Sequence, residues 1–403
     1  MPTLFQISTS INSGSIGRIA EEIGQLSINN NWKSFIAYGR NYNLSKSNSI
    51  KIGTNFDVKL HYIQSTLFDM HGFGSTNATK KMINKLDEIK PDIIHLHNIH
   101  GYYINIEILF NYLAKLHTPI VWTFHDCWSI TGHCAHFDYV GCNKWVKGCN
   151  HCPQKKEYPT SWFVDSSKRN YQMKKSLFTS VGSIVIVPVS HWISYIISSS
   201  FLKDFPKQVI HNGINTDLFC PQTKDVQTRA KYNIGDRFII LGVANPWNNK
   251  KGLNDFIELS KWLGNDLVII LIGLNKKQLK KLPNNIMGFE KTEDISQLIE
   301  LYSAADVFVN PTWEDNFPTT NLEALACGTP VITYRTGGSI ESISIETGFI
   351  VEKGDIAGIV DAIKKIKSIG KNIYSDKCIL SVKKYFDKND RFMDYINLYN
   401  SLI

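Results

Sequence analysis

Two carboxylates set the chemistry of the second half of the chain. Asp315 and Glu323 lie eight residues apart in PTWEDNFPTTNLEALACGTPVI, residues 311–332. The stretch reads as a strand end, a loop, a short helix, a Gly-Thr-Pro turn and another strand. Asp315 falls in the loop and Glu323 in the first helical turns, so both can accept hydrogen bonds from the hydroxyls of a sugar or ribose. Pro318, Thr319 and Thr320 prepare the helix start, whose unpaired N–H groups suit a phosphate. A plainer reading stands beside this one, with Glu323 complementing the helix dipole and Asp315 an ordinary loop carboxylate. In the first half, WTFHD ends a strand and places His125 at its C-terminal end, where ligands bind in open α/β sheets. Gly14 and Gly17 in NSGSIGR fall between a strand and a helix and permit close backbone approach to a diphosphate or acceptor. Gly14 could equally serve only a tight turn.

The elements that must position these groups alternate throughout. Apolar strand patterns are TLFQIST, KSFIAYG, DIIHLHN, TPIVWTFHD and SIVIVPVS, then RFIILGVANPW, DLVIILIGL, DVFVNPT and TPVITYRT, with amphipathic helical patterns between them. This predicts an α/β protein of two doubly wound domains with parallel sheets. The expected division is a first domain over 1–205, a second over 206–385 opened by KQVIHNGINTDLF, and a terminal helix over 386–403 returning to the first. In HLHNIHGYY, alternation puts His95 and His97 on one strand face. His97 reads as structural, and His100 or Asn98 as the border of an acceptor groove.

A chain of 403 residues with 43% hydrophobic and 20% charged residues is soluble and too long for one ordinary core. MPTLFQISTSINSGSIGR has no signal-peptide pattern and the apolar runs are too short to span a bilayer, so the expected compartment is the cytoplasm. Of the net +8, residues 1–205 carry +7 and the rest +1, which favours an acidic partner for the first half. SSKRNYQMKKSLF could be a basic amphipathic helix at an anionic membrane surface. The basic clusters lack the interleaved aromatics of a nucleic-acid binder, so no nucleic-acid partner is expected.

The Asp315-x7-Glu323 stretch closely resembles the signature of the retaining nucleotide-sugar glycosyltransferases of family four, which have the GT-B fold of two Rossmann-like domains flanking a cleft. VIHNGINTDLF (209–219), GVANPWNNKKGLNDFI (242–257) and LYSAADVFVNPTWEDNFP (301–318) extend the resemblance. It implies that Glu323 binds ribose or diphosphate, that Asp315 binds hydroxyls of the transferred sugar, and that His125 contacts that sugar near the reacting carbon. Lys251, with Lys250 as a fallback, would hold the donor phosphate, and the amides of Asn316, Phe317, Pro318, Thr319 and Thr320 would line the pocket. Two departures stand out: the first acidic residue is usually Glu, and the usual arginine is absent from VANPWNN.

The reaction implied is transfer of a sugar from a UDP- or GDP-sugar to a glycan or lipid-linked saccharide acceptor, with retention at the anomeric carbon and no cofactor required. WTFHDCW and NLEALACGTPVITY narrow the resemblance to enzymes of bacterial capsule, exopolysaccharide or O-antigen synthesis, at the inner membrane face. An epimerase or phosphorylase of the same architecture, or a non-catalytic sugar-nucleotide-binding protein, fits the motifs less well.

One stretch stands apart. Cys134, Cys142, Cys149 and Cys152 crowd HCAHFDYVGCNKWVKGCNHCP, with Cys127 just upstream. Structural disulfides are rare in a reducing compartment. Four thiolates could close a structural zinc shell, with His133, His136 or His151 as substitutes, although the spacings x7, x6 and x2 are irregular for a zinc module. Otherwise these are ordinary thiols. Either way the loop reads as a lid on the acceptor side.

Overall fold

The computed structural model describes residues 1–223 and 225–403, which fall into two compact units: Met1–His211 with Arg391–Ile403, and Asn212–Asp390. The first unit holds strands β1 (Thr3–Ser8), β2 (Lys33–Tyr38), β3 (Asn48–Lys51), β4 (Ile93–Leu96), β5 (Ile120–Phe124) and β6 (Ile184–Pro188). They form one parallel sheet in the order β3-β2-β1-β4-β5-β6. β1, β4 and β5 are almost wholly buried, which explains their continuous apolar sequences.

The second unit holds β7 (Phe238–Val243), β8 (Leu267–Ile272), β9 (Ile286–Phe289), β10 (Val307–Asn310), β11 (Val331–Tyr334) and β12 (Gly348–Val351). Their order, β9-β8-β7-β10-β11-β12, repeats the topology of the first sheet. Each sheet therefore has a switch point, between β1 and β4 and between β7 and β10, and the crevice beyond the strand ends there is where doubly wound folds bind ligands. The two Rossmann-like units are those of the GT-B fold.

The structure differs from the sequence expectations at the edges. β3, β9 and β12 do not stand out in the sequence because each has only four residues and pairs on one side. The predicted opening strand of the second domain, KQVIH, instead runs along β6 of the first unit, with Gln208 N donating to Ile186 O (3.0 Å) and Ile210 N to Pro188 O (3.1 Å). The division thus falls after His211 rather than after 205. The terminal segment is two helices, Asn372–Tyr385 and Lys388–Leu402. The chain breaks between them where Ile214 bonds both Phe386 O (2.8 Å) and Lys388 N (2.9 Å).

The last helix closes the core of the first unit. Phe392, Tyr395, Ile396 and Tyr399 pack with Leu4, Ile23, Trp32, Ile93 and Val121. Tyr399 Oη bonds His95 Nδ1 (2.7 Å), and His95 Nε2 bonds Thr123 Oγ1 (2.8 Å), so the imidazole is satisfied at both nitrogens inside an apolar core.

Candidate active site

In the second unit, the turn after β7 and the loop after β10 meet at the switch point. The first is a single 3₁₀ turn, Asn249–Lys251, capped by Asn248, whose side chain accepts from Lys251 N (3.0 Å). Gly252 follows at φ +80°, and a Cβ there would lie 2.3 Å from Pro311 O. Glycine is thus required both by the left-handed backbone and by the close approach of the two loops. Trp313 N donates to Lys250 O (2.8 Å) and locks them together.

This contact aligns two lysines with two carboxylates. Lys251 Nζ lies 2.5 Å from Asp315 Oδ2, and Lys250 Nζ lies 2.8 Å from Glu314 Oε1. The pairs differ in exposure: the Lys251 side chain is 36% exposed and Asp315 18%, whereas Glu314 is only 6% exposed. Lys250 therefore helps fix the loop, and Lys251 is the cation presented to solvent. Beneath them, Asp255 accepts from Trp313 Nε1 (3.0 Å) and Tyr334 Oη (2.7 Å). The far side rests on the turn at Gly337, where a Cβ would lie 1.8 Å from Asp315 O. Asp255, Glu314, Tyr334 and Gly337 are supports that motif reasoning passed over; TGG in the sequence was the available signal for the last.

The helix Thr319–Ala326 starts at Pro318, which supplies no side-chain cap. Within the expected phosphate cradle, Pro318 itself has no N–H, so the donors of that stretch are the amides of Asn316, Phe317, Thr319 and Thr320. Phe317 is buried, and its carbonyl accepts from Asn212 Nδ2 (3.5 Å). Glu323, half-buried on this helix, accepts at Oε2 from Tyr302 Oη (2.9 Å), and Tyr302 is fully buried. Burial and the neighbouring carboxylate push the phenol well above its ordinary range, so it stays a donor.

The first unit gathers imidazoles at the ends of β4 and β5. Gln6 Nε2 donates to Ala20 O (2.9 Å), so its Oε1 accepts from His97 Nε2 (2.9 Å). Neutral His97 then offers Nδ1 to His125 Nε2–H (3.2 Å), which places the proton of neutral His125 on Nε2 and leaves Nδ1 an acceptor. Burial pulls His125 down to about 4, with His100 adding to the fall and Asp126 opposing it; His97 is also held well below its ordinary value, chiefly by burial.

Asp126, next in the chain, accepts from His100 Nε2 (2.7 Å), Trp128 N (2.9 Å) and Asn98 Nδ2 (3.2 Å). Burial alone would raise its pKa, but the charge and hydrogen bond of His100, with the other donors, hold the carboxyl well below the usual range. His100 and Asn98, expected at a groove border, are thus the residues that fix Asp126. Gly14 begins the helix Gly14–Asn29 at φ +67° with nothing within 4 Å of a Cβ, while a Cβ at Gly17 would stand 3.1 Å from Ser10 O. Conformation requires the first glycine and close approach the second.

Two other expectations find their places. SSKRNYQMKKSLF is the helix Ser167–Phe178, but Lys174 is buried, bonded to Trp128 O (2.7 Å) and Thr131 O (3.1 Å). Only Lys168, Arg169 and Lys175 of its basic residues reach the surface. The four loop cysteines line one small cavity as free thiols.

Residues 237–368 match the family model described as glycosyl transferases group 1, and residues 56–218 match that of glycosyltransferase family 4. The chain is 24% identical over 389 residues to the putative colanic acid biosynthesis glycosyl transferase WcaC of Escherichia coli K12, covering 90% of each chain. It is 28% identical over 200 residues to the capsular polysaccharide biosynthesis glycosyltransferase CapM of Staphylococcus aureus, covering 45% of this chain and 51% of that one. Its fold is similar to that of Anabaena HepE in complex with UDP-glucose, with a TM-score of 0.66, 13% identity and 99% of both chains covered. The doubly wound units and the two matched families agree: the chain belongs to the GT-B glycosyltransferases of group 1 and family 4.

Proposed function

We propose that the chain transfers a sugar from a nucleoside diphosphate to a glycan or lipid-linked saccharide, with retention, in the synthesis of a surface polysaccharide. The observation that carries this reading is the Lys251–Asp315 pair at the switch point of the second sheet, beside a helix start with no side-chain cap and ahead of Glu323 on the same helix. Lys251 and the first-turn amides would neutralise the diphosphate, Asp315 would accept from sugar hydroxyls, and Glu323, oriented by Tyr302, would hold ribose or diphosphate. Neutral His125, as the resemblance implies, would contact the transferred sugar. The leaving phosphate, stabilised by these cations and amides, would take the acceptor's proton, so that no side-chain nucleophile is needed. The likeness to WcaC and CapM supports polysaccharide synthesis, and the UDP-glucose complex of HepE supports a nucleotide-sugar donor.

The same reading places the chain at the inner face of the cytoplasmic membrane. No helix among the described residues is long and apolar enough to cross a bilayer. The helix Asn55–Phe68, however, exposes Phe56, Leu60 and Ile63, and Trp162 and Phe163 are exposed nearby, with Trp162 N bonded to Thr66 O (2.8 Å). Aromatic and aliphatic side chains in such a patch suit peripheral insertion beside Lys59.

The donor assignment is tested by ligand-observed binding of UDP- and GDP-sugars to wild type and K251A. Binding of one nucleotide class that weakens in the variant is the expected result. Absence of binding by every donor, in protein shown to be folded, would remove the proposal.

A further inference from the structure

Between Ile130 and Ser167 the only regular element is the 3₁₀ turn Lys144–Val146. So long an irregular stretch needs something other than backbone pairing to hold it. Phe137 and Trp145 anchor its middle, with ring centroids 5.0 Å apart. Cys134, Cys142, Cys149 and Cys152 all border a cavity of about 10 Å³, room for a single ion.

The cavity wall carries polar atoms that the protein leaves unmatched. His133 Nδ1 is bonded to Asp69 Oδ1 (2.6 Å), yet the Nε2 of this fully enclosed ring has no hydrogen-bond partner. Trp145 Nε1, whose residue also lines the cavity, is buried and equally unmatched. Buried polar atoms without partners are costly and call for an explanation. Local backbone shape is suited to closure as well. Gly148 has φ +150° and His151 φ +44°, so the chain folds tightly through Cys149-Asn150-His151-Cys152. Lys144 Nζ clamps that turn by bonding Asn150 O (3.0 Å) and His151 O (2.9 Å).

We propose that Cys134, Cys142, Cys149 and Cys152 bind one structural Zn²⁺ that holds the 131–166 segment in place. Sulfur is the ligand that selects Zn²⁺ over hard cations, and four thiolates fill a tetrahedral shell with no open position, which makes the site structural and not catalytic. Binding replaces four S–H protons by four Zn–S bonds and leaves the cluster with charge −2. Lys174, buried and in electrostatic reach of Cys149 and Cys134, and the unmatched N–H of Trp145 suit that charge. The proposal is independent of the donor chemistry.

The test uses the full chain, expressed without a metal-affinity tag and purified without chelator. Elemental analysis should find one equivalent of zinc, C142S and C152S should each lose it, and chelation should lower the thermal midpoint by several degrees, reversibly on adding Zn²⁺. Because the variants could misfold, chelator-stripped wild type is also titrated with Co²⁺. Near-ultraviolet thiolate-to-cobalt bands with tetrahedral visible bands are expected at one equivalent. Less than a tenth of an equivalent of zinc together with no cobalt spectrum would overturn the proposal, as would a disulfide among these four cysteines in the purified protein or full zinc retention in both variants.

Discussion

Lys251 Nζ and Asp315 Oδ2 lie 2.5 Å apart across the switch point of the second sheet, one from the turn after β7 and the other from the loop after β10. The pair joins a cation suited to a diphosphate with an anion suited to sugar hydroxyls. Both are partly open to solvent, so the pair itself adds little to stability, in the range of about 0–1 kcal/mol. Its removal should therefore appear in activity. K251A is expected to lower kcat/KM by roughly 10²–10³-fold with a thermal midpoint close to wild type, as steady-state kinetics and differential scanning fluorimetry would show. A large fall in midpoint with activity preserved would reverse that assignment.

Gly252 makes a sharper demand on the backbone. G252A must hold a left-handed φ and place a methyl 2.3 Å from Pro311 O. The expected outcome is destabilisation of about 1–3 kcal/mol and a raised KM for donor, because Lys251 and Asp315 are carried by the two loops that would be forced apart. Urea unfolding and donor titration measure the two effects.

Glu323 and Tyr302 separate binding from support. E323Q keeps a hydrogen-bond acceptor for the phenol but loses the charge, so the fold should persist while donor turnover falls. Y302F removes the buried donor and should cost about 1 kcal/mol of stability, with a smaller effect on kcat. Equal losses of activity in the two variants would argue that Glu323 has only a packing role.

The buried imidazoles give the protein an acid limit. His61 and His125 are pulled to about 4, and His71, His95 and His97 lie well below their ordinary value, in each case chiefly by burial. A histidine whose folded pKa is depressed binds fewer protons than its unfolded counterpart between the two values. The contribution of these rings to stability should thus be level above about pH 6.5 and fall as the pH drops toward 4. Thermal midpoints measured from pH 8 to 4.5 should show this slope. A midpoint unchanged down to pH 5 would mean that these rings are charged in the folded state.

The last helix completes a core instead of decorating it. Deleting 391–403 would expose Leu4, Trp32 and Ile93 and remove Phe392, Tyr395, Ile396 and Tyr399. At about 1.5–3 kcal/mol per large buried side chain, the loss is on the order of the whole stability of a domain. Insoluble or molten protein is expected, by expression yield and circular dichroism.

The central strands were legible in the sequence because they are buried on both faces and read as unbroken apolar runs. β3, with the sequence NSIK, was not, since an edge strand can be short and polar. The break between Tyr385 and Lys388 was also hidden, because it is imposed by the distant pairing of Ile214 with Asp387 and not by a local proline or glycine. At the site, the acidic spacing and the Lys250-Lys251-Gly252 turn named two loops that the structure brings together. Which lysine meets which carboxylate depends on the close packing of Gly252 on Pro311, and the burial of Lys174 depends on tertiary contacts, so neither could be read from local sequence.

The most direct test of the whole account is the stereochemistry of transfer. The chain is incubated with the nucleotide-sugar it binds and a lipid-linked saccharide, and the anomeric coupling in the product is read by proton NMR. The account predicts a glycosylated product with the anomeric configuration of the donor, formed much more slowly by K251A and E323Q. A product of opposite configuration, or transfer undiminished in both variants, would contradict it.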